Sequence, residues 1–231
     1  MLCIFAWISL AIALASAAFI AVDELQNSQK MAIMNVVWPV SALYFSVFAV
    51  WAYLRWGSKK TKKAVANAER AGQNQLSNSQ AESPSGSQIA VSTSHCGAGC
   101  AIADIVCEFA IAAGAITLLG SVPWAEFTID FIAAWALGVV FQYFTIKPMR
   151  NLSVGQGIVA AIKADTLSIL AFQVGMYAWM ALVYFVLFPD PHLTPFNPCY
   201  WLMMQIGMIC GFATSFPMNR FLLRAGLKEA M

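Results

Sequence analysis

Ser94-His95-Cys96-Gly97-Ala98-Gly99-Cys100-Ala101-Ile102-Ala103-Asp104-Ile105-Val106-Cys107-Glu108 is the stretch whose reading decides the fold. A histidine and two cysteines stand at the start of an apolar run, and two carboxylates are carried into it. Cys96, Cys100, Asp104 and Glu108 follow at four-residue steps, so on a helix neighbours in the series lie one turn apart on roughly one face. The run 101–120 has the length, about 20 residues, that crosses hydrocarbon. Ionisable groups inside such a helix are costly, which marks this face as the place to look for function.

Runs of that kind recur at 2–22, 31–54, 127–146, 166–188 and 199–218. The chain of 231 residues is 60% hydrophobic and only 10% charged, against about 25% charged in soluble domains, so a soluble fold is excluded. The expected fold is an all-α integral membrane protein of six transmembrane helices. An N-terminal hairpin (1–56) should be joined by a flexible cytoplasmic linker (57–93) to a four-helix membrane bundle (94–231). The linker's Ser, Gln, Asn and Gly buries too little apolar area to offset its ordering entropy.

Thirteen Lys and Arg set the orientation. With six spans, all except Lys30 fall on one side, and the positive-inside rule places both termini and the linker in the cytoplasm of a bacterial inner membrane. The net charge of +2 then reflects topology and lipid contact, with no nucleic-acid partner. Met1-Leu2-Cys3 lacks the basic start of a signal peptide, so 1–22 reads as an uncleaved anchor. Of the six cysteines only Cys199 falls near the outer surface, which argues against a disulfide framework.

The outer turn at 121–126 contains Pro123, and Glu126 with Asp130 reads as acidic residues opening the next helix. Pro189 to Pro198 forms a stiff outer cap carrying Asp190 and His192. Gly207 and Gly211 make a small-xxx-small pattern for close helix packing, and Ser215 to Asn219 is expected to end the last helix.

His95-Cys96-Gly97-Ala98-Gly99-Cys100 with Asp104, then Phe141-Gln142-Tyr143 through Lys147-Pro148-Met149-Arg150, then Lys163-Ala164-Asp165-Thr166-Leu167-Ser168 and Phe172-Gln173-Val174-Gly175-Met176-Tyr177, resembles an uncharacterised bacterial membrane family. That family is domain of unknown function 4396, and the resemblance spans about residues 94–231. It implies a compact four-helix membrane domain and supplies no reaction, ligand or catalytic residue.

The chemistry must therefore come from the residues. His95, Cys96 and Cys100 read as an entrance for a thiophilic transition metal, Cu or Zn, since imidazole and thiolate suit both ions. Gly97 and Gly99 would let the backbone bend there, with the helix proper beginning near Gly99. Cys96 and Glu108 lie about 18 Å apart along a helix, so one shared site is excluded and a ladder remains, with Asp104 and Glu108 as its deeper rungs. Lys163 is the expected ion-pair partner of Asp104, and Glu108 has none. Met176, Met180, Met203, Met204 and Met208 read as packing residues before a soft-metal path.

No phosphate-binding loop, metalloprotease helix or nucleophile elbow occurs, which argues against a hydrolase, a nucleotide-driven pump or any catalytic residue. The expected function is binding or transport of a cation through the His/Cys/Cys entrance and the intramembrane carboxylates. The alternatives are a thiol-redox membrane protein using Cys96 and Cys100, and a non-catalytic membrane subunit.

Overall fold

The computed structural model describes residues 1–70, 84–150 and 153–228, and these are helical almost throughout. The helices are α1 (Leu2–Gln26), α2 (Met34–Phe45), α3 (Val47–Ala52), α4 (Lys62–Arg70), α5 (Gly86–Gly114), α6 (Val122–Arg150), α7 (Val154–Leu182) and α8 (Pro198–Arg224). Wider π-helical turns extend α3 over Tyr53–Gly57 and α7 over Val183–Leu187. Among the described residues α1, α5, α6, α7 and α8 are long and apolar enough to cross a membrane.

Local chemistry sets the helix starts. Ser85 accepts from the Gln88 backbone N–H while the Gln88 side chain accepts from the Ser85 N–H, and Ser153 with Gln156 repeats this capping box. Asn197 caps α8 by accepting from the Cys199 N–H, with Pro198 in the first turn, where its missing donor costs nothing.

The sixth expected span, 31–54, is not one helix of spanning length. At 12 residues α2 is about 18 Å long, well short of a hydrocarbon core of about 30 Å. The chain reverses at Ser46, whose φ of 49° lies in the left-handed region, and α3 returns along α2. Trp38 and Tyr53 meet edge to face at 5.7 Å across the fold. Entry and exit are tied together, with Lys30 N donating to Lys60 O at 3.0 Å and Lys62 N to Ser28 O at 2.9 Å. The tip leaves carbonyls at the end of α2 that lipid cannot satisfy, and the Gln205 side chain of α8 donates to Leu43 O at 2.7 Å. Residues 31–60 are thus a helical hairpin that enters and leaves at one end of the bundle.

This changes the topology. α1 runs parallel to α8, because Cys3 meets Cys199 and Ser9 meets Gln205 at the same offset along the two helices. The two chain ends therefore lie at opposite ends of the bundle, not on the same side as six spans would require. With the hairpin folded back, Lys30 joins the other Lys and Arg at one end, hereafter the basic end; the loops at 115–121 and 188–197 mark the opposite end.

α5, α6, α7 and α8 form the four-helix unit, with the first hairpin packed on α5 and α8. The helix bearing the histidine and cysteines begins at Gly86, so His95 and Cys96 lie well inside it and 86–93, expected in the linker, is helical. Residues 71–83 of that linker lie outside the described residues. Gly97 and Gly99 do not bend the chain; they admit neighbours. A Cβ on Gly99 would sit 3.4 Å from the Gly138 backbone nitrogen, so α5 and α6 approach closely there. α7 and α8 interlock likewise: a Cβ on Gly211 would stand 2.8 Å from Phe172 O, and one on Gly175 2.6 Å from Cys210 O. α8 also continues through Pro217 to Arg224, past the expected end at Asn219.

Candidate functional site

α5 and α6 are antiparallel neighbours, closed by a turn in which Ala115 takes a left-handed φ of 48°. Each carries two carboxylates four residues apart, Asp104 and Glu108 on one helix and Glu126 and Asp130 on the other. Counted back from the turn they stand opposite one another, Glu108 beside Glu126 and Asp104 beside Asp130. All four are buried. Glu126 and Asp130 are therefore not merely opening a helix; they complete an acidic cluster with the pair that the first motif revealed.

Tyrosines from the other two helices close the cluster. Tyr184 donates to Glu126 Oε2, Tyr200 lies beside Glu108, and Tyr177 is within electrostatic reach of Asp104 and Asp130. Neither oxygen of Asp104, nor Glu108 Oε2, Asp130 Oδ1, Tyr177 Oη or Tyr200 Oη, has a hydrogen-bond partner among the described residues. Among the described residues no Lys or Arg stands among the four acids: Lys163, the expected partner of Asp104, is exposed, and the one basic group within electrostatic reach is the His192 imidazole beside Glu126. Four carboxylates enclosed in this way need their charge balanced by protons or by a cation.

A second polar group lies nearer the basic end. Cys96 Sγ approaches Asp165 Oδ1 at 3.1 Å and Ser168 Oγ at 2.9 Å. The chain beyond α8 folds back so that Lys228 Nζ reaches Asp165 Oδ1 at 2.9 Å and Cys96 Sγ at 3.2 Å, fully buried. Burial works against the Lys228 charge, yet Asp165 and Cys96 outweigh it and hold the ammonium above its ordinary range. Ser215 donates to Ser168 O at 3.0 Å, and Asn219 Nδ2 to Ser215 Oγ at 2.9 Å, extending the group along α8.

Between the two groups lies Cys100, buried and within electrostatic reach of Asp104, Cys96 and Asp165. At the far end the exposed His192 sets its ring 5.7 Å from that of Tyr184. Polar groups therefore recur as a thread along the bundle, from His192 by the acidic cluster and Cys100 to Cys96, Asp165 and Lys228.

The residues singled out by spacing fall into three environments. Asp104 and Glu108 share the cluster, and Cys96 and Cys100 lie along the thread. His95 turns away, its Nε2 3.1 Å from Met34 Sδ of the first hairpin, because adjacent helical residues diverge by about 100°. Among the described residues no three His, Cys, Asp or Glu side chains converge to hold a metal ion. Met176, Met180, Met203, Met204 and Met208 sit in the apolar core.

Spacing alone overlooked Glu126, Asp130, Asp165 and Lys228 as members of one network. The repeat of a four-residue acid step on both sides of the 121–126 turn was the available signal for the first two. Nothing in the sequence ties Lys228 to Asp165.

Asp104 also borders an apolar cavity of about 370 Å³ between α1, α2, α5 and α8, walled by Trp7, Leu10, Tyr44, Trp201 and Met208.

No curated protein and no solved structure matches the chain. The family described as "Domain of unknown function (DUF4396)" matches residues 86–228, the four-helix unit with its acidic cluster and the returning Lys228, and by that match the chain belongs to this family.

Proposed function

We propose that this is a bacterial inner-membrane protein that moves a cation through the four-helix unit, and that the cation is the proton. The observation that carries the reading is the acidic cluster: Asp104, Glu108, Glu126 and Asp130 are buried together and, among the described residues, no Lys or Arg balances them. Carboxylates, phenols and a thiol at successive helical turns can pass a proton from one to the next. The exposed His192, its ring beside that of Tyr184, serves as the outer terminal of the relay.

A Cu or Zn ion is less well supported than the entrance motif suggested. His95 and Cys96 point to different neighbours, and oxygen ligands such as those of the cluster suit hard cations over thiophilic ones. The thiol-redox alternative has weaker support still, since Cys96 and Cys100 are both buried and Cys96 engages Asp165, Ser168 and Lys228.

We place the basic end in the cytoplasm, because the hairpin brings all thirteen Lys and Arg to that end. The C-terminus and the 71–83 segment are then cytoplasmic and the N-terminus faces outward.

Protein reconstituted into liposomes holding a pH-sensitive dye tests the reading. A potassium diffusion potential should drive proton entry well above empty liposomes, and Glu108→Gln should reduce it at least tenfold. Equal rates in wild-type and empty liposomes would overturn the proposal. Flux of Na⁺ or a divalent ion in place of protons, abolished by the same variant, would assign the cluster to a hard cation.

A further inference from the structure

Cys3 Sγ and Cys199 Sγ stand 2.9 Å apart, closer than two unbonded sulfurs ordinarily rest. They join the first turn of α1 to the first turn of α8, 196 positions away, at the end opposite the basic residues. Cys3 is exposed and Cys199 is buried beneath it. Six spans would place Cys3 in a reducing cytosol; the parallel course of α1 and α8 places it on the other side. We infer that Cys3 and Cys199 form a disulfide that staples the first helix to the four-helix unit.

The inference rests on the orientation given above, since the extracytoplasmic space is where disulfides form and persist. The oxidant is a disulfide-bearing exchange protein of that space. The Cys3 thiolate attacks the oxidant's disulfide, giving a mixed disulfide on Cys3 and releasing one oxidant thiol. The Cys199 thiolate then attacks Cys3 Sγ, the Cys3–Cys199 bond forms, and the second oxidant thiol leaves. Two protons and two electrons pass in total from the cysteine pair to the oxidant, which departs as a dithiol. The exposure of Cys3 over the buried Cys199 fixes this order of attack.

The bond would hold one wall of the cavity that reaches Asp104. α1 packs on the rest of the molecule along one side, through Ser9 to Gln205 and the 31–60 hairpin, and turns Phe5 and Ile8 outward. A covalent link at its first turn keeps Trp7 and Leu10 over the cavity.

The test uses the full chain, expressed in bacterial membranes with a protease site inserted between Arg70 and Pro84. Free thiols are blocked with N-ethylmaleimide at lysis, the site is cleaved in detergent, and the fragments are run on a denaturing gel without reductant. Cys3 is the single cysteine of the N-terminal fragment, so any covalent link reports on it. Most of that fragment should travel with the C-terminal fragment and separate on reduction. Cys3→Ser and Cys199→Ser should each abolish the link, and Cys210→Ser should keep it. Separate fragments with Cys3 already alkylated would overturn the inference. An impermeant maleimide applied to intact reduced cells then tells the two failures apart: labelling of Cys3 leaves the orientation standing, and labelling only after permeabilisation overturns the orientation together with the disulfide.

Discussion

Lys228 and Asp104 are opposite cases of a buried charge. Lys228 has Asp165 at 2.9 Å and Cys96 at 3.2 Å, so removing its ammonium strands a carboxylate in an enclosed site. Lys228→Met should cost about 3–5 kcal/mol in detergent, the usual penalty for breaking a buried pair from one side. Lys228→Met with Asp165→Asn should recover most of that loss. Asp165 and Cys96 raise the folded ammonium's pKa above the ordinary lysine value, so its contribution is whole below that value and fades as pH rises through the higher folded one. The melting difference between wild type and Lys228→Met should therefore stay flat from about pH 6 to about pH 9 and shrink only in stronger alkali. Among the described residues neither oxygen of Asp104 has a hydrogen-bond partner, so Asp104→Asn removes a liability. Its melting temperature should equal or exceed that of wild type while proton flux falls, and a lower melting temperature would mean that Asp104 is structurally paired. The four-residue step on α5 was legible as sequence because periodicity is local. The Lys228–Asp165 pair was not, because it depends on a chain end folding back across three helices.

Single elements were legible to different degrees for physical reasons. Long apolar runs identified α1, α5, α6, α7 and α8, since length and hydropathy are all that a span requires. The same test took 31–54 as one span, where length sufficed but the helix is broken by a turn at Ser46. Lys30, the lone basic residue on the other side of a six-span arrangement, was the visible sign of that turn. The glycines of α7 and α8 were read correctly as a packing device, and their geometry sets a prediction. A side chain at position 211 meets Phe172 backbone oxygen, which cannot move aside, while a Cβ on Gly155 meets nothing within 4 Å. Gly211→Val should lower stability by about 1–3 kcal/mol through overpacking. Gly155→Ala, in the first turn of α7, should leave the melting temperature essentially unchanged. Equal behaviour of the two variants would show that α7 and α8 do not interlock in the folded protein.

At the scale of the molecule, three features depend on one geometric fact, the folding back of residues 31–60. It leaves five helices of spanning length among the described residues, puts α1's start and α8's end at opposite ends of the bundle, and brings Lys30 to the basic end. It also brings Cys3 to Cys199, a meeting that six spans forbid. The topology is therefore the measurement on which the orientation of the polar thread turns. In right-side-out cells an N-terminal epitope should be digested by external protease, and a C-terminal epitope and one placed in 71–83 should survive until the membrane is permeabilised. Protection of both terminal epitopes would restore six spans, and would require residues 31–54 to straighten at Ser46, breaking the Trp38–Tyr53 contact and the Lys30–Lys60 bond. Protection of the N-terminal epitope with digestion of the C-terminal one would keep the fold and reverse the molecule. The basic end would then face outward against the positive-inside rule, and His192 would become the cytoplasmic terminal of the relay.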